Sequence, residues 1–461
     1  MKHKIITEVK RQLSDLITPV NLFLKVRDKY SSALLLESSD YHSKEDSFSF
    51  ICFDPMYSIK VDGGKIESDL PGLEDISIEK GVVEALEQFH NAFDVDGSYE
   101  GKRFNGIFGY SSFESVRYYD TMAFDDSNTH STIPDIQYSL YRNIIVIDHY
   151  ANQLMILENR KEGEESQIDA IESIINSQHT ATFHFEPKEE ESNLSDNEFK
   201  ELVTLGKKHC QRGDVFQIVF SRQFKQKFEG DEFNAYRSLR SVNPSPYLFY
   251  FDYGEFKIFG SSPEAQMVIK NGEAEIHPIA GTYRRTGDAE FDLKEAIRLA
   301  DDPKESAEHN MLVDLARNDL SKSCDNVHVA SHKTIQYFSH VIHLVSKVKG
   351  TVQEGVSPFK VFADTFPAGT LSGAPKYKAI ELISAYENTD RGFYGGAIGY
   401  VSFTGDMNQA IIIRSMLSKN NTLYAQAGAG IVIASDEESE LNEVNHKRAA
   451  MKEAVNKAAN I

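Results

Sequence analysis

The chain has 461 residues, 41% of them hydrophobic and 26% charged, with a formal net charge of −21. That balance describes a globular protein with enough apolar residues for one large or two to three ordinary cores. The negative surplus argues against a nucleic-acid surface, which needs clustered Lys and Arg.

In chain order, the opening MKHKIITEVKRQLSDLI carries charges but no apolar core of a secretory signal. No later run approaches the ~20 apolar residues of a membrane helix. Cys52, Cys210 and Cys324 are far apart and form no CxxC. The expectation is a cytoplasmic protein without disulfides, zinc ribbon or membrane contact. Residues 32–38, 47–53 and 143–149 are short β-rich apolar runs, and 80–93 has helical spacing. These place an N-terminal α/β region at 1–160. An acid-rich connector follows at 161–194, with a helical centre in IDAIESII.

From 195 to 461 the pattern tightens. A helix begins with Ser195 as N-cap, then VFQIVFSRQFKQKF reads as a strand. PYLFYFDY and EFKIFGSS read as a hairpin around Tyr253 and Gly254. A helical stretch in two pieces ends at Leu320. GFYGGAIGYVSF, QAIIIRSMLS and TLYAQAGAGIVI read as strands before a closing helix.

Asp302 followed by Pro303 is a helix start, and Glu305 and Glu308, three apart, share one side of that helix. Ser435 and Glu438 have the spacing of a capping box. Glu440 and Glu443 repeat the acidic pair, with Lys447 one turn on. Two such helices could share one hard cation, since Mg²⁺ takes one or two protein carboxylates plus water and substrate oxygens. Either pair alone reads first as a solvated helix face, and only a common context for both helices would turn it into a metal site.

Small-residue segments at 278–282, 368–376, 394–400 and 427–432 suit tight packing or anion binding by backbone N–H groups, and none has P-loop or Rossmann spacing. Arg414 interrupts the apolar AIIIRSML, where a charge must be paired or face a cavity. His340 and His343 lack nearby partner ligands in sequence, so a buried neutral ring and a general acid/base both fit.

GDVFQIVFSR, NPSPYLFY, FGSSPE, PIAGT, EHNMLVDLARNDL, VIHLVSKVKG, PAGTLSGAPK, YGGAIGY, IIIRS, QAGAGIV and SELNEVNHK, in that order, resemble the chorismate-utilising enzymes over about 214–447. LLLES, GIFGYSSFESVRYY and PDIQYSLYRNIIVIDH extend the likeness through most of the N-terminal half. Within that family the close resemblance is to the anthranilate synthase component I group. It implies an α/β (α+β) chorismate-binding fold of two large packed β-sheets with helices outside and a cleft between. It implies Mg²⁺ held by Glu308 and Glu443, with Glu305 and Glu440 acting through water.

The resemblance also implies roles for single residues. Glu264 matches the general acid for the C4 hydroxyl and His343 the histidine of the elimination step, while Thr370, Gly281 and Thr282 match substrate-lining positions. Tyr394 and Arg414 match the holders of the enolpyruvyl carboxylate. The N–H groups of Gly428, Ala429 and Gly430 would meet the ring carboxylate, with Lys447 nearby. His340 matches no family-wide position. Aminodeoxychorismate synthases typically carry a lysine where this chain has Ala280, and isochorismate and salicylate synthases one where it has Gln217. Alanine cannot attack the ring and glutamine is a poor base. The implied reaction is therefore amination of chorismate at C2 by ammonia, then loss of pyruvate to give anthranilate, a lyase reaction of tryptophan biosynthesis. Ammonia would come from a separate glutaminase subunit in a hetero-oligomer. Glu37, Ser38, Pro246, Tyr247 and Leu248 resemble a feedback site for tryptophan. Tyr283 departs from the arginine usual after PIAGT, with Arg284 and Arg285 following. An aminodeoxychorismate synthase working without its lysine and a non-catalytic Mg²⁺- or anion-binding scaffold stay open as alternatives.

Overall fold

Two long strands, Phe48–Asp62 and Ile136–Asp148, organise the chain because each belongs to two sheets. In the computed structural model, which describes residues 2–38, 47–74, 76, 81–120, 132–337 and 341–461, their pairing shifts register between Pro55 and Tyr57, beside Asp54 at φ 63°. The bulge bends the pair, so its two halves serve different layers.

One half pairs outward to Leu34–Ser38, Tyr247–Asp252, Phe256–Ser262, Ser415–Lys419, Thr422–Ile431 and Gln217–Gly230. On its other side lie Gln153–Arg160 and His3–Leu13. The second half continues through Gly106–Ser111, Ala397–Ser402, Met407–Ile411, Ala265–Lys270 and Glu273–Ile276 to Val341–Val352. The expected pair of large sheets is present, joined through the long strands into one network of 22 strands among the described residues. Strands from both halves of the sequence interleave, as Leu34–Ser38 beside Tyr247–Asp252 shows. The acid-rich 161–194 segment holds the helix Ile168–Asn176 and the strand Phe185–Ser192, which pairs with Gln217–Gly230.

Period-two alternation explains the continuous apolar runs. Phe50, Cys52, Phe108, Tyr110, Ile144, Val146, Phe249, Phe251, Phe256 and Ile258 face a core between the sheets. Their neighbours Ile51, Phe53, Ile145, Ile147, Tyr250 and Phe259 face helices on the outside, including Phe233–Val242 and the end of Glu437–Ala458. A strand covered on both faces needs apolar residues at every position.

The local signals hold at most ends. Ser195 and Glu198 form a full capping box. Asp302 caps Pro303–Leu320 by accepting from the Lys304 and Glu305 amides. Tyr247–Asp252 and Phe256–Ser262 form the hairpin, with Gly254 at φ +81°. The helix expected over 80–93 runs Val82–Asn91, with Lys80 outside the described residues. Two readings are corrected. The closing helix is capped by Asp436, not Ser435, whose hydroxyl instead accepts from the Val432 amide. QAIIIRSMLS is two strands: Met407–Ile411 belongs to one sheet and Ser415–Lys419 to the other. The chain crosses at Arg414, which takes a left-handed φ of 51°.

Candidate active site

The crossing places Arg414 at a cavity of about 180 Å³ where ends of both sheets meet the helices Pro303–Leu320 and Glu437–Ala458. Gln217, Glu264, Ala280, Gly281, Glu308, His343, Thr370, Tyr394, Arg414, Gly428, Gly430, Glu443 and Lys447 all line it. A non-glycine residue in the left-handed region is uncommon and costs energy. Here that conformation aims a guanidinium at the cavity.

The opposite wall is set by a bulge. Ile279–Arg284 pairs with Val341–Val352, and the register shifts between Ala280 and Thr282, leaving Gly281 as the extra residue at φ +70°. A Cβ there would stand 2.6 Å from Leu299 Cδ1 and 3.1 Å from Glu305 Oε2. The bulge turns the Gly281 carbonyl toward His343, whose Nδ1–H donates to it at 2.7 Å. The neutral ring therefore carries its lone pair on Nε2. Burial, with Arg414 and Lys447 near, lowers the His343 pKa to about 4, so the ring is neutral at pH 7.

Glu264, 9% exposed, accepts from Thr370 Oγ1 at 2.9 Å. Burial raises its pKa to about 7, and Thr370 and Lys447 pull the other way without cancelling it. This suits a carboxyl that must hold a proton near neutrality. Thr370 itself sits on the short 3₁₀ turn Gly369–Leu371.

The two acid-bearing helices meet at the cavity. Burial raises the carboxyl pKa of Glu308, Glu305 and Glu440, and repulsion by Glu443 adds to each rise. Gln217 Nε2 donates to Glu308 Oε1 at 2.6 Å. Lys447 Nζ bonds Glu443 at 2.6 Å and the Gly428 carbonyl at 2.7 Å. Glu305 and Glu440 do not line the cavity themselves. Among the described residues, no three His, Cys, Asp or Glu side chains form a protein-only metal cage. Two carboxylates completed by water and substrate oxygens are nevertheless what Mg²⁺ takes, and the mutual repulsion of neighbouring carboxylates is what a cation relieves.

Gly428 and Gly430 line the cavity, whereas the Ala429 methyl between them turns into the core. Of the expected trio, Ala429 thus puts no side chain at the site. In an extended strand a residue's N–H and C=O share an edge, so the Gly428 and Gly430 amides lie on the edge where Lys447 meets the Gly428 carbonyl. A Cβ at Gly428 would stand 2.9 Å from the Tyr394 hydroxyl, and one at Gly430 2.6 Å from Gln217 Nε2. Tyr283 turns away to Asp302, donating its hydroxyl at 3.0 Å, and Arg285 pairs with Asp292. Neither lines the cavity. The side chains of Thr282 and Arg284, and all of His340, lie outside the described residues.

Glu37, Ser38, Pro246, Tyr247 and Leu248 come together on a second cavity of about 290 Å³. Antiparallel pairing of Leu34–Ser38 with Tyr247–Asp252 sets Ser38 opposite Tyr247 and Glu37 opposite Leu248. Glu37 accepts from the Tyr236 hydroxyl at 2.6 Å and from Arg240 at 2.7 Å.

A family model described as chorismate binding enzyme matches residues 32–453. Anthranilate synthase component 1 of Aquifex aeolicus is 34% identical over 96% of this chain and 93% of its own length. The chain belongs to the anthranilate synthase component 1 family of chorismate-binding enzymes. Its family relative from Acetivibrio thermocellus is 33% identical over 100% of this chain and 97% of its own. The crystal structure of anthranilate synthase component I from Streptococcus pneumoniae TIGR4 superposes with a TM-score of 0.77 at 30% identity, covering 96% of this chain and 99% of that one. MenF, the menaquinone-specific isochorismate synthase from Escherichia coli, shares the fold at a TM-score of 0.76 and 17% identity. No helix of the described residues is long and apolar enough to cross a membrane.

Three polar residues at or behind the cavity wall escaped sequence reasoning. Gln426 lines the cavity and donates to Ser221 Oγ at 2.7 Å. Behind the wall, Arg391 and Glu387 form a buried ion pair at 2.7 Å. The only signal was ENTDRG, a polar run before YGGAIGY that reads as an ordinary loop.

Proposed function

We propose that the chain aminates chorismate at C2 with ammonia, expels the C4 hydroxyl as water, and eliminates pyruvate to leave anthranilate. The observation that carries this reading is that Ala280 and Gln217, neither of them a lysine, line the same cavity. One lining lysine remains, Lys447, and its ammonium is engaged by Glu443 and the Gly428 carbonyl. With no lysine at 280 to attack the ring and none at 217 to activate water, free ammonia is the nucleophile.

Each remaining group has a task. Arg414 and the Tyr394 hydroxyl receive the enolpyruvyl carboxylate, the arginine fork matching its two oxygens. The Gly428 and Gly430 amides receive the ring carboxylate. Mg²⁺ held by Glu308 and Glu443, with Glu305 and Glu440 through water, would neutralise that carboxylate's charge. Glu264 gives its proton to the departing C4 oxygen, and Thr370 holds that carboxyl in place. As ammonia bonds C2 the ring double bonds shift toward C4, water leaves, and the ammonium formed on C2 gives up one proton, leaving the amine. Neutral His343 then takes the C2 proton at Nε2 while the enolpyruvyl oxygen leaves with its electrons as the pyruvate enolate. The enolate takes up a proton at carbon to become pyruvate, and the ring becomes aromatic.

Ammonia in the cell would come from a glutaminase partner, and the cavity at Glu37 and Tyr247 would take tryptophan as feedback inhibitor. The deciding experiment supplies chorismate, Mg²⁺ and an ammonium salt at alkaline pH and identifies the product by chromatography and mass. Anthranilate is expected. The 4-amino isomer or unchanged chorismate overturns the proposal.

A further inference from the structure

Arg391 is 2% exposed, the largest fully buried side chain among the described residues, and does not itself line the cavity. A buried guanidinium persists only when its N–H groups are satisfied. Nε donates to Glu387 Oε2 at 2.8 Å and Nη2 to Glu387 Oε1 at 2.7 Å. Nη1 donates to the Leu371 carbonyl at 2.6 Å, and Nη2 also to the Val219 carbonyl at 2.7 Å. Its Cζ lies 4.5 Å from the Phe113 ring centre and 5.8 Å from that of Tyr394.

Each anchored group belongs to a different wall of the site. Leu371 adjoins Thr370, which holds Glu264. Val219 lies two residues beyond Gln217 on the same face of its strand. Tyr394 carries the cavity hydroxyl, and its own amide donates to the Arg391 carbonyl at 3.1 Å. Glu387 extends the hub: its Oε1 accepts from both the amide and the hydroxyl of Ser221 at 2.8 Å, and Ser221 receives Gln426. The ion pair by itself would leave guanidinium N–H groups buried without partners, so burial and wall geometry are served by the same bonds. The two carbonyl clamps use the remaining donors to fix the turn of Thr370 against the strand of Gln217.

We propose that Arg391 is a positioning residue for the proton-donating pair, acting through the Leu371 carbonyl to hold Thr370 on Glu264. This rests on the reaction proposed above. A lysine at 391 keeps the charge but cannot reach Glu387, Leu371 and Val219 together, because one nitrogen replaces a planar fork.

The test is a double-mutant cycle on ammonia-dependent turnover with Arg391→Lys and Thr370→Val. Arg391→Lys is expected to lower kcat at least tenfold with chorismate KM changed less than threefold. In the double variant the two losses should overlap, the combined effect being close to the larger single one. The pH above which kcat/KM falls should also move in Arg391→Lys, as in Thr370→Val. Losses that multiply, with an unmoved pH profile, overturn the proposal. Should Arg391→Lys not fold, Glu387→Asp replaces it in the cycle, keeping both charges paired while drawing the guanidinium back by one methylene. If the wild-type chain forms no anthranilate, the reaction assignment has failed; if it does and the cycle is additive, only the role of Arg391 has failed.

Discussion

Gln217 Nε2 and Glu308 Oε1 are 2.6 Å apart, so the residue standing where water-activating relatives carry lysine is bonded to a carboxylate proposed to hold the cation. Gln217→Lys would put an ammonium on Glu308 in competition with Mg²⁺. The expected result is at least a tenfold rise in the Mg²⁺ concentration giving half-maximal turnover, with less anthranilate formed. An unchanged Mg²⁺ titration would show that Glu308 does not serve the cation.

The acid pair Glu308 and Glu443 can be tested without turnover. Burial and mutual repulsion raise the Glu308 pKa, so the folded state holds its proton more tightly than the unfolded chain and ionisation opposes folding at neutral pH. Glu308→Gln is therefore expected to melt no lower than wild type without Mg²⁺, and to lose the upward Tm shift that Mg²⁺ gives wild type. A Tm rise with Mg²⁺ equal to that of wild type removes this ligand.

In the proposed reaction Glu264 acts protonated, and burial raises its folded pKa to about 7. With free NH₃ held constant, kcat/KM should fall about tenfold per pH unit above that value. Glu264→Gln should lose about 10²–10⁴-fold in rate and the alkaline limb with it. The stability sign agrees: the group opposes folding increasingly as pH rises from 4.5 to about 7. At pH 8 the glutamine variant should melt at or above the wild-type temperature. A flat pH profile in the wild type would remove the general-acid role.

Ala280 is 8% exposed on the cavity wall. Ala280→Lys places a primary amine at the position where the resemblance puts the lysine of aminodeoxychorismate synthases. Anthranilate formation should drop at least tenfold, and intact-protein mass spectrometry with chorismate should reveal a covalent adduct absent from wild type. Undiminished anthranilate from this variant would mean that the position does not face the reacting ring.

Ser38 lies opposite Tyr247 on the larger cavity and does not line the cavity that holds His343 and Glu264. Ser38→Arg should fill that cavity, weakening tryptophan inhibition at least tenfold while ammonia-dependent activity without tryptophan stays within twofold. Inhibition titrations check this, and unchanged inhibition would place the effector elsewhere.

Short-range features were legible in the sequence because they are fixed by short-range physics. The Ser195 box, the Asp302 cap, the hairpin at Gly254 and the Glu305/Glu308 and Glu440/Glu443 pairs depend only on a turn or two of chain. Residue identity by itself also supplied the absent lysines at 217 and 280. The tertiary structure alone decided that the two acidic helices converge on one cavity rather than face water. It likewise broke the apolar run at Arg414, since the pattern fits one strand or two and only the partner strands in different sheets settle which. The proton affinity of Glu264 and the clamp of Arg391 arise from desolvation and from bonds between segments far apart in the chain. No local window of sequence contains those partners.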